Sequence, residues 1–161
     1  MGIYSTTVRF TNLTSGVSQS RAFSLRVGQP DYFTELFGAN DNDLDFQTWT
    51  FTPNGSASFY SACREVAASF LTDPTGGTTV SLSDDSYAQV TLTGTNTVAI
   101  YNRRANVFFV GSNGYLTMNS GDSNLGEAFS THFNLPRVSA CFDDLNPSTG
   151  GTVSWKQTSN L

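Results

Sequence analysis

The stretch at residues 108–118, "FFVGSNGYLTM", decides the fold class. Two apolar, β-prone runs flank Ser112-Asn113-Gly114. Asn and Gly tolerate the positive φ that both central positions of a type I′ turn demand, so the pattern predicts a hairpin. Its strands run from Val107 to Val110 and from Tyr115 to Met118.

The same grammar repeats on both sides of that hairpin. "QTWTFT" alternates with Trp49 and Phe51 on one face, "PNG" follows, and "SASFYSAC" returns, which predicts a second hairpin over residues 47–63 around Asn54-Gly55. Val80 and Leu82, Val90 and Leu92, and Val98 and Ile100 alternate in three further runs. "RVSACF" aligns Val138, Ala140 and Phe142, and "TVSWKQ" aligns Val153 with Trp155. Alternation puts the two Trp residues with the inward apolar positions, so core packing is their expected role. One segment breaks the pattern: "DSNLGEAFSTHF" spaces Leu125, Phe129 and Phe133 at helical intervals, with Asn124 and Glu127 as a loose capping box. Gly126 weakens that helix and Pro136 ends it. "DYFTELF", residues 31–37, reads as a further helical turn capped by Asp31.

Many short strands, tight turns and no long helices predict an all-β antiparallel sandwich, jelly-roll-like, with one or two short helices. Residues 1–29 carry "TTVRFTN" and "AFSLRV", which read as N-terminal strands; residues 30–161 read as the sandwich domain. "WKQTSNL" ends on a turn-like Thr158-Ser159-Asn160, which anticipates one more strand. Either the sequence stops short of that strand, or the Trp155 strand offers an open edge for self-association.

Composition agrees. Ser and Thr fill about a quarter of the chain and aromatic residues 13% of it, while charged residues reach only 13%; hydroxyl-bearing outer faces and aromatic inner faces suit strands. A helical bundle would draw more on Ala, Leu, Glu and Lys. The net charge of −5 with a single Lys leaves no basic patch for nucleic acid, and disfavours anionic membranes. No run approaches the ~20 apolar residues of a spanning helix. The opening "MGIYSTTVRF" has neither the basic nor the apolar region of a signal peptide, so an exported form would carry its signal upstream. Gly2 followed by Thr6 also fits the loose myristoylation pattern. Cys63 and Cys141 allow one disulfide or two buried small apolar side chains.

Three blocks together carry a likeness: "DYFTELFGANDNDLDFQTWTFTPNGSASFYSAC", "FFVGSNGYLTM" and "LPRVSACFDDLNPSTGGTVSWKQ". They resemble a recurring β-rich accessory domain of large secreted and surface proteins of planctomycetes and other marine bacteria. The last two blocks are more distantly similar to the nidogen-type extracellular domain. The likeness spans residues 30–161. It implies an extracellular accessory module without enzymatic activity, continuing past Leu161, and it names no ligand.

Candidate sites follow from residue chemistry. Asp143 and Asp144, with help from Asn146, are oxygen donors suited to Ca²⁺; the competing role is bonding their own loop backbone. Asp41, Asp43 and Asp45 are a weaker cation candidate. They do not form an EF-hand loop, because Phe46 and Thr52 stand where Gly and Glu are required, and a solvated acidic loop is the alternative. Tyr87, Tyr101 and Tyr115, at strand ends or beside turns, are the expected exposed aromatics for stacking on glycan. His132, the single histidine, could serve a hydrolase, but no Ser lies in a G-x-S-x-G context, and a packing role competes. The sequence therefore leads to a non-catalytic, extracellular glycan- or matrix-binding module. A structural subunit that assembles by strand addition is the alternative.

Overall fold

The computed structural model describes residues 2–27, 33–55, 59–73, 75–101 and 103–158. The expected class holds: among the described residues the chain is nearly all β, with antiparallel sheets and one short helix. The chain divides into residues 1–34 and residues 35–161.

The first unit is a single hairpin. β1 (Gly2–Thr11) pairs with β2 (Ser18–Val27) over the full length of both strands, from Gly2–Val27 to Thr11–Ser18. Its tip is closed by Asn12, whose Oδ1 accepts from the Thr14 and Ser15 amides, and by Gly16 at φ 71°.

The second unit is organised around a four-stranded sheet ordered β11-β10-β9-β6. Its members are β6 (Tyr87–Thr91), β9 (Val107–Gly111), β10 (Tyr115–Thr117) and β11 (Arg137–Ser139). The decisive stretch is the β9–β10 hairpin, with Val110 opposite Leu116. Its turn differs from the expected type I′: only Gly114, at φ 76°, is left-handed, and three residues form the loop. A three-residue connection needs one αL residue rather than two, and glycine supplies it.

Among the described residues three further two-stranded pairs complete the second unit. β3 (Gln47–Pro53) pairs with β4 (Tyr60–Val66), and β7 (Val98–Ile100) with β8 (Arg103–Ala105). β5 (Thr78–Val80) pairs with β12 (Val153–Trp155), so the Trp155 strand has one side occupied within its own chain. Gln157 extends that tie by accepting from the Thr93 amide at 2.9 Å. Of the turn expected at Thr158-Ser159-Asn160, Ser159 and Asn160 lie outside the described residues, as does the expected cap Asp31.

The helix is shorter than its stripe implied. α1 spans only Phe129–His132, its N-cap Ala128 has no side-chain bond, and Leu125 lies outside it. Asn124 does not cap the helix: its Oδ1 accepts from the Gly126 amide instead. A local Asx bond has won over helix initiation, as Asn and Gly favour. Residues 33–37, the described part of the other expected helical turn, form no helix.

The core follows the wrong parity for the sequence pattern on β11. Val138, expected inside, is 47% exposed, whereas Arg137 is 4% exposed. The β10–β11 connection, residues 118–136, folds across that sheet face and brings acceptors with it. Buried Arg137, Thr117 and Tyr115 find partners there, and Met118, directly after β10, is 1% exposed. On the opposite face Val90 and Val110 are buried while Leu116 stays partly open.

Candidate functional site

The buried polar groups come first, because their bonding tells which residues are spent on the fold. Asn113 is fully buried at the hairpin tip. Its amide nitrogen donates to Asp85 Oδ1 at 2.9 Å and to the Asn124 carbonyl at 3.2 Å, and its Oδ1 accepts from the Leu145 amide at 3.0 Å. One side chain thus joins three loops. Gly114 makes this possible: a Cβ there would lie 1.7 Å from the Cys141 carbonyl oxygen.

Arg137 forms the second knot. Its guanidinium lies over the rings of Tyr115 and Phe142, 4.2 and 5.2 Å from their centroids, and pairs with Asp122. Asn134 accepts from the same Nη2 at 3.2 Å. A buried cation beside two mutually edge-on rings, with one carboxylate partner, is a structural unit rather than an accessible site.

Tyr115 belongs to this knot, which corrects its expected exposure. It is 3% exposed, and its hydroxyl lies 2.9 Å from the Asn124 carbonyl and 3.1 Å from that of Asp122. Burial, reinforced by the Asp122 charge, pushes its phenol above the ordinary tyrosine range. Turn proximity suggested exposure; the crossover loop buries the ring instead. Tyr101 is half-buried, edge-on to Phe59 and Tyr60, and its amide donates to the Tyr60 hydroxyl at 2.7 Å. Tyr87 alone of the three is strongly exposed, at 50%, with its ring edge-on to Phe109. Gly121 lies beneath that ring, leaving no room for a side chain.

His132 is buried, and its Nδ1 lies 3.1 Å from Ser139 Oγ, so the contact fastens α1 to β11. Cys63 and Cys141 are both free thiols and both exposed.

The acidic loops separate into different roles. Asp143 Oδ1 accepts from the Asp144 amide at 2.9 Å, and Asn146 Oδ1 accepts from the Ser148 amide at 3.0 Å. Both therefore bond their own loop. Asp144 is brought instead to Asp84 and Asp85, and one carboxylate oxygen from each lies within 4.8 Å of the others. Among the described residues this is the one such grouping; Asp41, Asp43 and Asp45 do not form another. Desolvation, then repulsion from Asp85, Asp84, Glu127 and Asp143, holds the Asp144 carboxyl above the usual range. The sequence pointed to Asp144 but missed Asp84 and Asp85, which lie some 60 residues away along the chain.

The β3–β4 hairpin carries the feature that alternation misassigned. Trp49 and Phe51 are 42% and 45% exposed, not core residues. They share one face of β3, their ring centroids are 6.5 Å apart, and their planes differ by 17°. The Trp49 indole donates to Gln47 Oε1 at 3.0 Å, and the Gln47 amide donates in turn to the Asp43 carbonyl, which fixes the indole's orientation. Across the ladder Trp49 stands opposite Arg64, Phe51 opposite Ala62 and Gln47 opposite Val66. The other hairpin face carries Thr48, Thr50, Thr52, Ser61, Cys63 and Glu65, so the ribbon has an aromatic side and a mainly hydroxyl side. A shallow groove of about 800 Å³ adjoins Trp49, with Phe46, Phe70 and Leu71 in its lining. The sequence signal for this face was present in "QTWTFT"; whether the face would be covered was not, and both rings stay partly exposed.

Comparisons with protein families, with curated proteins and with solved structures found no match for this chain.

Proposed function

We propose that the chain is a non-catalytic extracellular binding module that takes carbohydrate on the aromatic side of its β3–β4 hairpin. One observation carries the reading: two exposed, nearly parallel rings on one strand, with the indole held in place by Gln47. Such a surface matches the apolar face of a pyranose, and Arg64 and Gln47 beside it offer donors for sugar hydroxyls. Tyr87, half-exposed over Gly121, is a second stacking surface elsewhere on the unit. The resemblance to accessory domains of secreted bacterial proteins supports the same setting.

The reading assigns the expected Ca²⁺ to Asp84, Asp85 and Asp144, because a divalent cation prefers clustered oxygen donors and would relieve their repulsion. Two measurements test the proposal. On a glycan array the wild-type chain binds and Trp49→Ala does not; equal binding by both removes the aromatic face from consideration. Thermal melting with Ca²⁺ raises the midpoint for wild type and not for Asp144→Asn; no shift for wild type removes the cation.

A further inference from the structure

The N-terminal hairpin differs from the rest of the chain in charge and length. β1 and β2 contain Arg9, Arg21 and Arg26 and no carboxylate. Residues 35–161 contain five basic against twelve acidic residues, a net charge of −7. The hairpin ladder is ten residues long, whereas the strands of the four-stranded sheet are three to five residues long. Register separates its faces: Thr6, Val8 and Phe10 share one with Phe23, Arg21 and Gln19, while Thr7, Arg9 and Thr11 share the other with Ala22, Ser20 and Ser18. On the first face Phe10 is 56%, Phe23 49% and Val8 40% exposed. An isolated two-stranded ribbon is marginal in water, and its outer backbone edges are open to pairing.

We propose that this hairpin is an assembly arm that docks on the acid-rich segment 35–161 of a second copy of the chain. Charge decides the occupant. Hairpin against hairpin would set arginines against arginines with no carboxylate on either side, a like-charge contact. Segment 35–161 of another copy supplies the opposite sign, concentrated where the Asp84, Asp85 and Asp144 carboxylates lie within 4.8 Å of one another. The contact is therefore heterologous, head to tail, and assembly grows with concentration rather than closing at once into a two-fold dimer. It needs no glycan and no Ca²⁺.

Sedimentation velocity on the full chain tests this. EDTA is present throughout, so that the outcome does not depend on the proposed cation site. The average mass rises with protein concentration at low ionic strength and falls back at high salt, since exposed charge pairs are screened. The double variant Arg9→Glu, Arg21→Glu weakens association about tenfold or more while circular dichroism stays β-rich. Phe10→Ser, which keeps all the charges, also weakens it. A wild-type chain that stays monomeric at all concentrations overturns the proposal. So does assembly that persists unchanged in the double variant or that ignores salt.

Discussion

Two hairpins of the second unit, β9–β10 and β3–β4, begin from similar sequence and end in opposite states. Both carry aromatic or aliphatic strand residues, unbroken in β9 and spaced by Thr in β3, and both loops contain an Asn-Gly pair. At β9–β10 the 118–136 crossover and the 141–145 loop close over the ribbon, and Asn113, Tyr115 and Thr117 become buried bonding partners. At β3–β4 nothing comparable arrives among the described residues, and Trp49 and Phe51 stay partly exposed. The lesson is that alternation fixes which residues share a face, while cover fixes whether that face is core or surface. A polar residue under cover must be bonded; an aromatic face without cover is available to a ligand.

The sharpest way to break this contrast is to remove a partner from the covered side. Asp122→Ala leaves the Arg137 guanidinium buried without its carboxylate, and should lower stability by about 3–5 kcal/mol in chemical denaturation, a large share of a marginal fold. Replacing both members, Arg137→Met with Asp122→Leu, should recover most of that loss, because an apolar pair needs no compensation. If Asp122→Ala is neutral, the knot does not hold the sheet.

Asn113→Ala comes next. It removes the bonds to Asp85, Asn124 and Leu145 at once, and should cost about 1–3 kcal/mol. Hydrogen exchange should speed in the 141–145 loop, while β3 and β4 are unaffected; uniform loosening of both hairpins would erase the distinction between them.

The smallest effect is electrostatic. The Asp144 carboxyl binds its proton more tightly in the folded chain than in the unfolded one, so its contribution to stability falls as pH rises through the carboxylate range. Asp144→Asn should therefore raise the melting midpoint at neutral pH without added cation, with the gain vanishing in acid, where both forms are neutral. A gain that is the same at every pH would mean that repulsion at this cluster does not matter.

How much of this was legible follows from the same contrast. Strand alternation and turn residues disclosed the antiparallel class and both hairpins, because those signals are local. Position 137 was not legible: "RVSACF" offers Val138, Ala140 and Phe142 as the apolar set, and only the return of residues 118–136 explains why Arg137 is inside. Tyr115 was misread for the same reason and Trp49 for the converse one, since neither cover nor its absence is written in the local pattern. Asp144 was visible as a loop carboxylate, but its companions Asp84 and Asp85 meet it through long-range ties at the hairpin tip, the Asn113 side chain and the Ser86–Ser112 bonds among them.

The central claim is that the uncovered aromatic face binds sugar. Isothermal titration of the strongest array glycan into wild type and Trp49→Ala, at matched melting temperature, tests it most directly. The expected result is saturable binding to wild type that weakens by about tenfold or more when the indole is removed. Equal affinity in the two proteins would contradict it.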